Sequence, residues 1–155
     1  MKLLVAFYSR TGTTGKVAKA IADNLKCDIE VIIDTTNRKG LFGWLRSGRD
    51  GIKKKLTVIQ PIKHNPSDYD LIIIGTPNWG GMPSAATRTY IEQNKLNFKK
   101  VSFFATSGSE NNTALFKELE LICGRQPQNI LGIRQKEVKK GDITEKVKGF
   151  VAKLQ

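Results

Sequence analysis

Hydrophobic residues along the chain gather in short continuous runs, which are separated by longer stretches of mixed polarity. Four of the runs read LLVAFYS, EVII, LIIIG and VSFFATS, and a weaker fifth reads NILGI. A continuous apolar run, rather than an alternating one, is typical of a strand that is covered on both faces, as in a parallel sheet. We therefore predict buried strands at 3–9, 30–33, 71–75, 101–107 and 129–133.

The stretches between these runs carry apolar residues at spacings of three and four, which is the pattern of amphipathic helices. In the first stretch Val17, Ile21 and Leu25 share one face. The third stretch begins with a proline, which suits the first turn of a helix, and the last contains Asp142 as a candidate cap. The predicted helices span 14–25, 83–94, 112–123 and 141–154, with a short helix near 41–54 in the long connection 35–70.

Strand and helix thus alternate five times, which predicts an α/β fold with a parallel sheet and right-handed crossovers. We expect a single domain over residues 1–155, a length sufficient to bury a sizeable core. No apolar run has the length of a transmembrane segment or of a secretory signal, so we expect a cytoplasmic protein. Cys27 and Cys123 fit no metal-binding or CxxC spacing, which predicts two reduced thiols.

The first apolar run leads into a polar loop, YSRTGTTGK, that precedes the first predicted helix. Such a loop is a natural anion site, because free N–H groups and the helix dipole both favour negative charge. The Walker A pattern fails, since Arg10 replaces its first glycine and Val17 its Ser or Thr. The GxGxxG pattern fails too, because Gly12 and Gly15 are the only glycines of the loop. A single terminal phosphate is the ligand that fits this loop, and an ordinary capped helix start is the alternative.

Two more loops follow the third and fourth predicted strands. The first, GTPNWGGMPS (75–84), offers Trp79 to stack on a flat ring, with a role as an anchor of the loop or core as the alternative. The second, TSGSENNT (106–113), offers hydroxyl and amide side chains. Ligands of doubly wound sheets bind at the carboxyl ends of the strands, where the strand order reverses. We therefore expect the three loops to converge.

The sequence SRTGTT (9–14) resembles the phosphate loop of the flavodoxin family, and GTPNWGGMP resembles that family's second flavin loop. The resemblance implies a three-layer, doubly wound sandwich with a five-stranded parallel sheet of order 2-1-3-4-5. It also implies FMN as the cofactor, with the third loop beside the pyrimidine side of the flavin. The predicted FMN site comprises Ser9, Arg10, Thr11, Gly12, Thr13, Thr14, Thr76, Pro77, Asn78, Trp79, Gly80, Ser107, Gly108, Ser109 and Asn112.

The function implied is that of a flavodoxin, a small FMN protein that carries electrons between redox partners. No catalytic acid, base or nucleophile and no set of metal ligands is identifiable near the three loops, which fits a carrier. Many electron-carrying flavodoxins have a tyrosine in the third loop, whereas this chain has no aromatic residue between Phe104 and Phe116. That difference favours an alternative, an FMN-dependent NAD(P)H or quinone oxidoreductase. A flavin-free binding module is a third possibility, against which the phosphate loop argues.

The net charge of +12 concerns partners rather than the fold. Half of it comes from the segment 38–55, RKGLFGWLRSGRDGIKKK, which has seven basic residues and one acidic. The segment is interpreted first as a crossover helix with its apolar face on the sheet and its basic face in water. The other interpretations are a docking patch for an acidic redox partner and a membrane-surface segment with Phe42 and Trp44 at the interface. We expect redox partner proteins with acidic docking surfaces, and no nucleic-acid ligand, since no such motif is present.

Overall fold

The computed structural model describes residues 1–154 and confirms the predicted α/β fold. Five parallel strands form one sheet of order β2-β1-β3-β4-β5, as the resemblance implied. The strands are β1 (Leu3–Phe7), β2 (Asp28–Val31), β3 (Leu71–Pro77), β4 (Val101–Ser107) and β5 (Ile130–Arg134). The helices are α1 (Thr13–Leu25), α2 (Gly40–Ile52), α3 (Ala85–Asn94), α4 (Thr113–Cys123), α5 (Gln135–Lys140) and α6 (Thr144–Ala152).

Two hydrophobic clusters sandwich the sheet, and β3 shows why its sequence is apolar without a break. Ile72 and Ile74 point into the cluster formed with α3 and α4. Leu71 and Ile73 point into the cluster formed with α1, α5 and α6. Successive side chains of a strand point to opposite faces, so a strand between two helical layers buries every residue.

The strand register places the loops that follow β1, β3 and β4 at one edge of the sheet. Phe7 at the end of β1 pairs with Gly75, and Pro77 at the end of β3 pairs with Thr106 near the end of β4. All strands run in the same direction, so the segments that follow β1, β3 and β4 leave the sheet side by side. This is the edge at which doubly wound folds bind ligands.

Several predicted boundaries were wrong. The second strand spans Asp28–Val31 rather than 30–33, because its pairing with β1 begins at Asp28. The predicted helix 141–154 is shorter in the structure, where α6 spans Thr144–Ala152. It is preceded by α5, a helix that the sequence did not predict, and α5 ends at Gly141, which adopts a left-handed φ of 73°. Asp142 therefore caps nothing, and α6 begins after Ile143. Similarly, α3 is capped by Ser84, whose hydroxyl accepts a bond from the amide of Thr87.

The preferred interpretation of the segment 38–55 is correct about the helix and wrong about its orientation. The buried residues of α2 are small or polar: Gly43, Ser47, Asp50 and Gly51. Its large apolar side chains are exposed instead, namely Leu41, Phe42, Trp44, Leu45 and Ile52.

Buried charge holds α2 in place. The guanidinium of Arg38, only 2% exposed, contacts Asp34 at 2.6 Å and Asp50 at 2.9 Å. Burial opposes the charged form of Arg38, but its bonds to the two carboxylates outweigh burial and raise its pKa. Asp50 belongs to α2 and Asp34 to the loop after β2, so this ion cluster links the helix to the sheet. Within residues 1–154, no helix has the length and apolar character needed to cross a membrane.

Candidate functional site

The loop after β1 is folded around the hydroxyl of Ser9. Its oxygen accepts hydrogen bonds from the amides of Gly12, at 3.0 Å, and Gly15, at 3.1 Å. Gly12 adopts a left-handed φ of 93° immediately before α1 begins at Thr13. The first amides of a helix have no acceptor within the helix, so those of Thr13 and Thr14 remain for an anion. The local structure is thus that of a phosphate-binding turn.

Two contacts fix this loop against its surroundings. The buried hydroxyls of Thr14 and Thr106 lie 2.7 Å apart, which ties the start of α1 to the end of β4. Arg10 reaches in the other direction and donates a hydrogen bond to the carbonyl oxygen of Arg38, at 3.2 Å. Of the predicted phosphate ligands, Thr14 is therefore largely occupied with a structural bond, whereas Thr11 and Thr13 are accessible.

The loop after β3 is a tight turn joined to the third loop. Asn78 is central, because its side-chain oxygen accepts a bond from the amide of Gly81, at 2.8 Å, while its side-chain nitrogen donates to Asn112, at 3.0 Å. Gly80 and Gly81 both have positive φ values, 63° and 84°, which other residues adopt only with strain. The hydroxyl of Thr76 is buried and donates to the carbonyl of Pro77, so it supports the turn from within.

Trp79 packs against three other parts of the chain: Tyr8, Arg38 and α2. Its ring meets that of Tyr8 edge-on, with centroids 5.8 Å apart, and the guanidinium of Arg38 lies 5.6 Å from it. Gly51 of α2 packs against the same side chain, since a Cβ there would lie 3.1 Å from the Cβ of Trp79. Burial, and secondarily the charge of Asp34, raises the pKa of Tyr8 to about 12, so the phenol is neutral at pH 7.

The third loop contributes mainly support. Ser107 donates its hydroxyl proton to the carbonyl of Ser109, and Asn112 is 5% exposed beneath the loop. Gly108 and Ser109 lie exposed at its tip. Asn112 lines a separate cavity beside α4, and it joins the third loop to the loop after β3 by accepting the hydrogen bond from Asn78.

Two adjoining cavities lie where the loops meet. The smaller, about 120 Å³, is at the N-terminus of α1. The larger, about 340 Å³, lies between α2 and the loop after β3, and both are bounded by Trp44, Asn78 and Trp79. The smaller cavity is lined by Ser9, Arg10, Thr11, Thr13, Thr14, Trp44, Pro77, Asn78, Trp79, Thr106 and Gln135. The larger adds Leu45, Ser47, Gly48 and Gly80.

Most of the predicted site residues therefore surround one space, and three further residues of the smaller cavity join them. Trp44, Thr106 and Gln135 line this cavity but were not among the predicted ligands. Trp44 projects from α2, and Gln135 is the first residue of α5. Six predicted residues line neither cavity: Gly12, Thr76, Ser107, Gly108, Ser109 and Asn112. Among them, Asn112 lies on the far side of its hydrogen bond to Asn78.

A family model described as flavodoxin matches residues 2–147 of the chain. A Lactobacillus acidophilus flavoprotein solved in complex with FMN is 26% identical, with a TM-score of 0.70 over 90% of this chain and 97% of that one. The apo form of a flavoprotein from the same organism is 28% identical, with a TM-score of 0.64 and coverages of 90% of this chain and 95% of that one. Oxidised flavodoxin 2 of Bacillus cereus, at 20% identity and a TM-score of 0.57, covers 99% and 97% and is similar in fold. No curated protein matches the chain significantly.

Proposed function

Because the chain belongs to the flavodoxin family, we propose that it binds FMN at the paired cavities and carries electrons between redox partner proteins. Bound FMN would supply the redox chemistry, while the protein holds the flavin and controls its exposure. The observation that carries the proposal is a small polar cavity at a helix N-terminus that shares lining residues, two tryptophans among them, with a larger cavity beside it. A flavoprotein of similar structure has been solved with FMN, which supports the choice of cofactor.

The residues present fit the two ends of FMN. The hydroxyls of Thr11 and Thr13 and the first amides of α1 offer hydrogen-bond donors to a phosphate. Arg10 adds positive charge at the same cavity. The adjoining cavity offers aromatic surface from Trp44 and Trp79, which suits a flat and largely apolar ring.

Comparing FMN with riboflavin tests the phosphate end directly, because riboflavin has the same ring and no phosphate. We expect the wild-type chain to bind FMN much more tightly than riboflavin, as measured by the quenching of flavin fluorescence. Thr13→Ala removes one donor to a charged group, so FMN should bind about tenfold more weakly or worse, with riboflavin binding unchanged. Thr144→Ala is the matched control, since Thr144 likewise begins a helix, α6, and is exposed away from the site.

Two results would count against this assignment. Equal affinity for FMN and riboflavin would mean that the phosphate does not contact the loop after β1. Equal losses in Thr13→Ala and Thr144→Ala would mean that the effect comes from helix stability rather than from the ligand.

One feature favours a second candidate, an FMN-dependent NAD(P)H or quinone oxidoreductase. The third loop contains no aromatic residue to cover the outer face of a flavin. Anaerobic mixing of the FMN-loaded protein with NADPH, and separately with NADH, distinguishes the two functions. Rapid stoichiometric bleaching of the visible flavin band would favour the reductase. Bleaching of this band by a chemical reductant, but not by NADPH or NADH, would favour the carrier.

The net charge of +12 supports redox partners with acidic surfaces. Attraction between opposite charges speeds the encounter of two proteins, and salt screens it over a Debye length of about 8 Å at physiological ionic strength. The rate of association with such a partner should therefore fall as salt is added, and a rate that stays constant would contradict the idea. We place this function in the cytoplasm, a reducing compartment that suits the two free thiols.

A further inference from the structure

The inner face of α2 leaves no room for large side chains. A Cβ on Gly43 would overlap the backbone of Arg38, and a Cβ on Gly51 would lie 3.1 Å from that of Trp79. Ser47, between these glycines, is buried and bonds to the carbonyl of Gly43 at 2.8 Å. The helix thus lies close against the body of the protein through its small residues, and its large ones are directed outward.

The outer face of α2 is an apolar stripe. Leu41, Leu45 and Ile52 follow one another at spacings of four and seven, which places them on one side of a helix with 3.6 residues per turn. Their exposed fractions are 69%, 53% and 68%. Phe42, 85% exposed, and Trp44, 59% exposed, flank the stripe on either side. Five large apolar side chains are therefore presented to the solvent by one short helix.

A basic ridge runs beside this stripe. Arg46, Arg49 and Lys53 are spaced by three and four, so they share the side of the helix on which Phe42 lies. The one acidic residue of α2, Asp50, is buried and paired with Arg38. The solvent-exposed side of α2 consequently combines apolar side chains with positive charge only.

We propose that the outer face of α2 docks on an anionic lipid surface. An interfacial helix lies in the plane of the membrane with its apolar residues at the headgroup–acyl boundary and its basic residues against lipid phosphates. The apolar stripe and the basic ridge meet both requirements. An acidic protein surface would match the ridge but would leave the stripe without an apolar partner. A second copy of the chain would bring one basic ridge against another in a symmetric contact, and like charges oppose that arrangement.

Flotation of the 155-residue chain, supplemented with FMN, with lipid vesicles tests the proposal. We expect binding to vesicles of phosphatidylcholine with phosphatidylglycerol, and little binding to phosphatidylcholine alone. Leu41→Ser/Phe42→Ser should lower the partition coefficient about tenfold or more, because the transfer of two large apolar side chains is lost. Leu96→Ser/Leu121→Ser is the matched control, since these leucines are 92% and 74% exposed on other elements and should leave binding unchanged.

A second pair of variants tests the ridge. Arg46→Gln/Lys53→Gln should weaken binding by about fivefold for each charge removed. The control, Lys139→Gln/Lys140→Gln, removes two exposed charges from the end of α5 and should have a much smaller effect. All of these side chains are exposed, so the variants should keep the melting temperature of the wild type, which is measured in parallel.

Three results would overturn the proposal. The first is a failure of the wild type to bind anionic vesicles. The second is binding that Leu41→Ser/Phe42→Ser leaves intact, which would indicate attraction by net charge alone. The third is a wild type that sediments as a dimer while this variant sediments as a monomer, because a second copy would then be the occupant of the stripe.

Discussion

Replacing Arg38 with methionine tests whether buried charge attaches α2 to the sheet. Methionine has a similar length and no charge, so Arg38→Met removes the ion pairs and retains much of the apolar stem. The carboxylates of Asp34 and Asp50 would then be left without their cation. Their side chains are only 2% and 10% exposed, so water can replace little of what they lose.

The expected cost is large. Removing one partner from a buried ion pair leaves an uncompensated charge and costs about 3 to 5 kcal/mol of unfolding free energy. A domain of ordinary stability has about 5 to 15 kcal/mol in total. Arg38→Met should therefore remove a substantial fraction of the stability of the protein.

Urea unfolding followed by far-ultraviolet circular dichroism measures this loss. Equal m-values for the wild type and the variant would show that both expose the same amount of surface on unfolding. Arg49→Met is the matched control. Arg49 also contacts Asp50, at 3.3 Å, but its side chain is 53% exposed. An exposed pair of this kind contributes about 0.5 kcal/mol, so the two variants should differ several-fold.

The pH dependence gives an independent check. Burial opposes ionisation of Asp50, but hydrogen bonds and charges from Arg38 and Arg49 outweigh it, so its pKa in the folded protein lies below the ordinary 3.8. A depressed pKa stabilises the fold above pH 3.8, and this contribution is lost as the pH falls through the folded value. The deficit of Arg38→Met should thus be full at pH 7 and shrink below pH 3.8. A deficit equal to that of Arg49→Met, or independent of pH, would refute the reasoning.

Three further predictions concern the core. Gly75→Ala would drive a Cβ into a buried ring of β4, so urea unfolding should show a loss of about 1 to 3 kcal/mol, and wild-type stability would contradict this packing. Burial raises the pKa of Cys27 to about 11 and that of Cys123 to about 12, so both thiols should react with Ellman's reagent at pH 8 far more slowly than in the unfolded chain; equal rates would contradict this. Glu30→Ala removes a buried acceptor of two amides in the loop 63–64 and should lower the melting temperature, whereas no change would show that water replaces it.

The sheet was predictable because its strands are enclosed on both faces. Every residue of β3 is buried, so each position of LIIIG must be apolar or small and the strand is visible as a continuous apolar run. The loop after β1 was predictable for a related reason. The hydroxyl of Ser9 bonds to the amides of both Gly12 and Gly15 within seven residues of sequence, so a short motif describes the whole turn.

The orientation of α2 was not predictable from the same rules. Its polar and apolar residues separate cleanly, and the usual expectation puts the apolar side inward. The deciding signal was the spacing of Gly43, Ser47 and Gly51 by four, which marks a face for close approach. Arg38 was misleading too, since nothing local distinguishes a buried guanidinium from the surface cations that follow it.

Several of the site residues that were missed come from elements distant in sequence. Gln135 reaches the smaller cavity from the start of α5, a helix that the sequence did not predict. Trp44 reaches it from α2, whose orientation was misjudged. Neither position belongs to the three loops, so no motif centred on those loops includes them.

Trp44 belongs at once to the exposed outer face of α2 and to the lining of both cavities. Two ligands that share one side chain are thermodynamically linked, and such linkage is reciprocal. If bound FMN changes the affinity of α2 for lipid by a given factor, bound lipid changes the affinity of the protein for FMN by the same factor. The holo and apo forms would then partition differently between membrane and solution, so the location of the protein would report its cofactor occupancy.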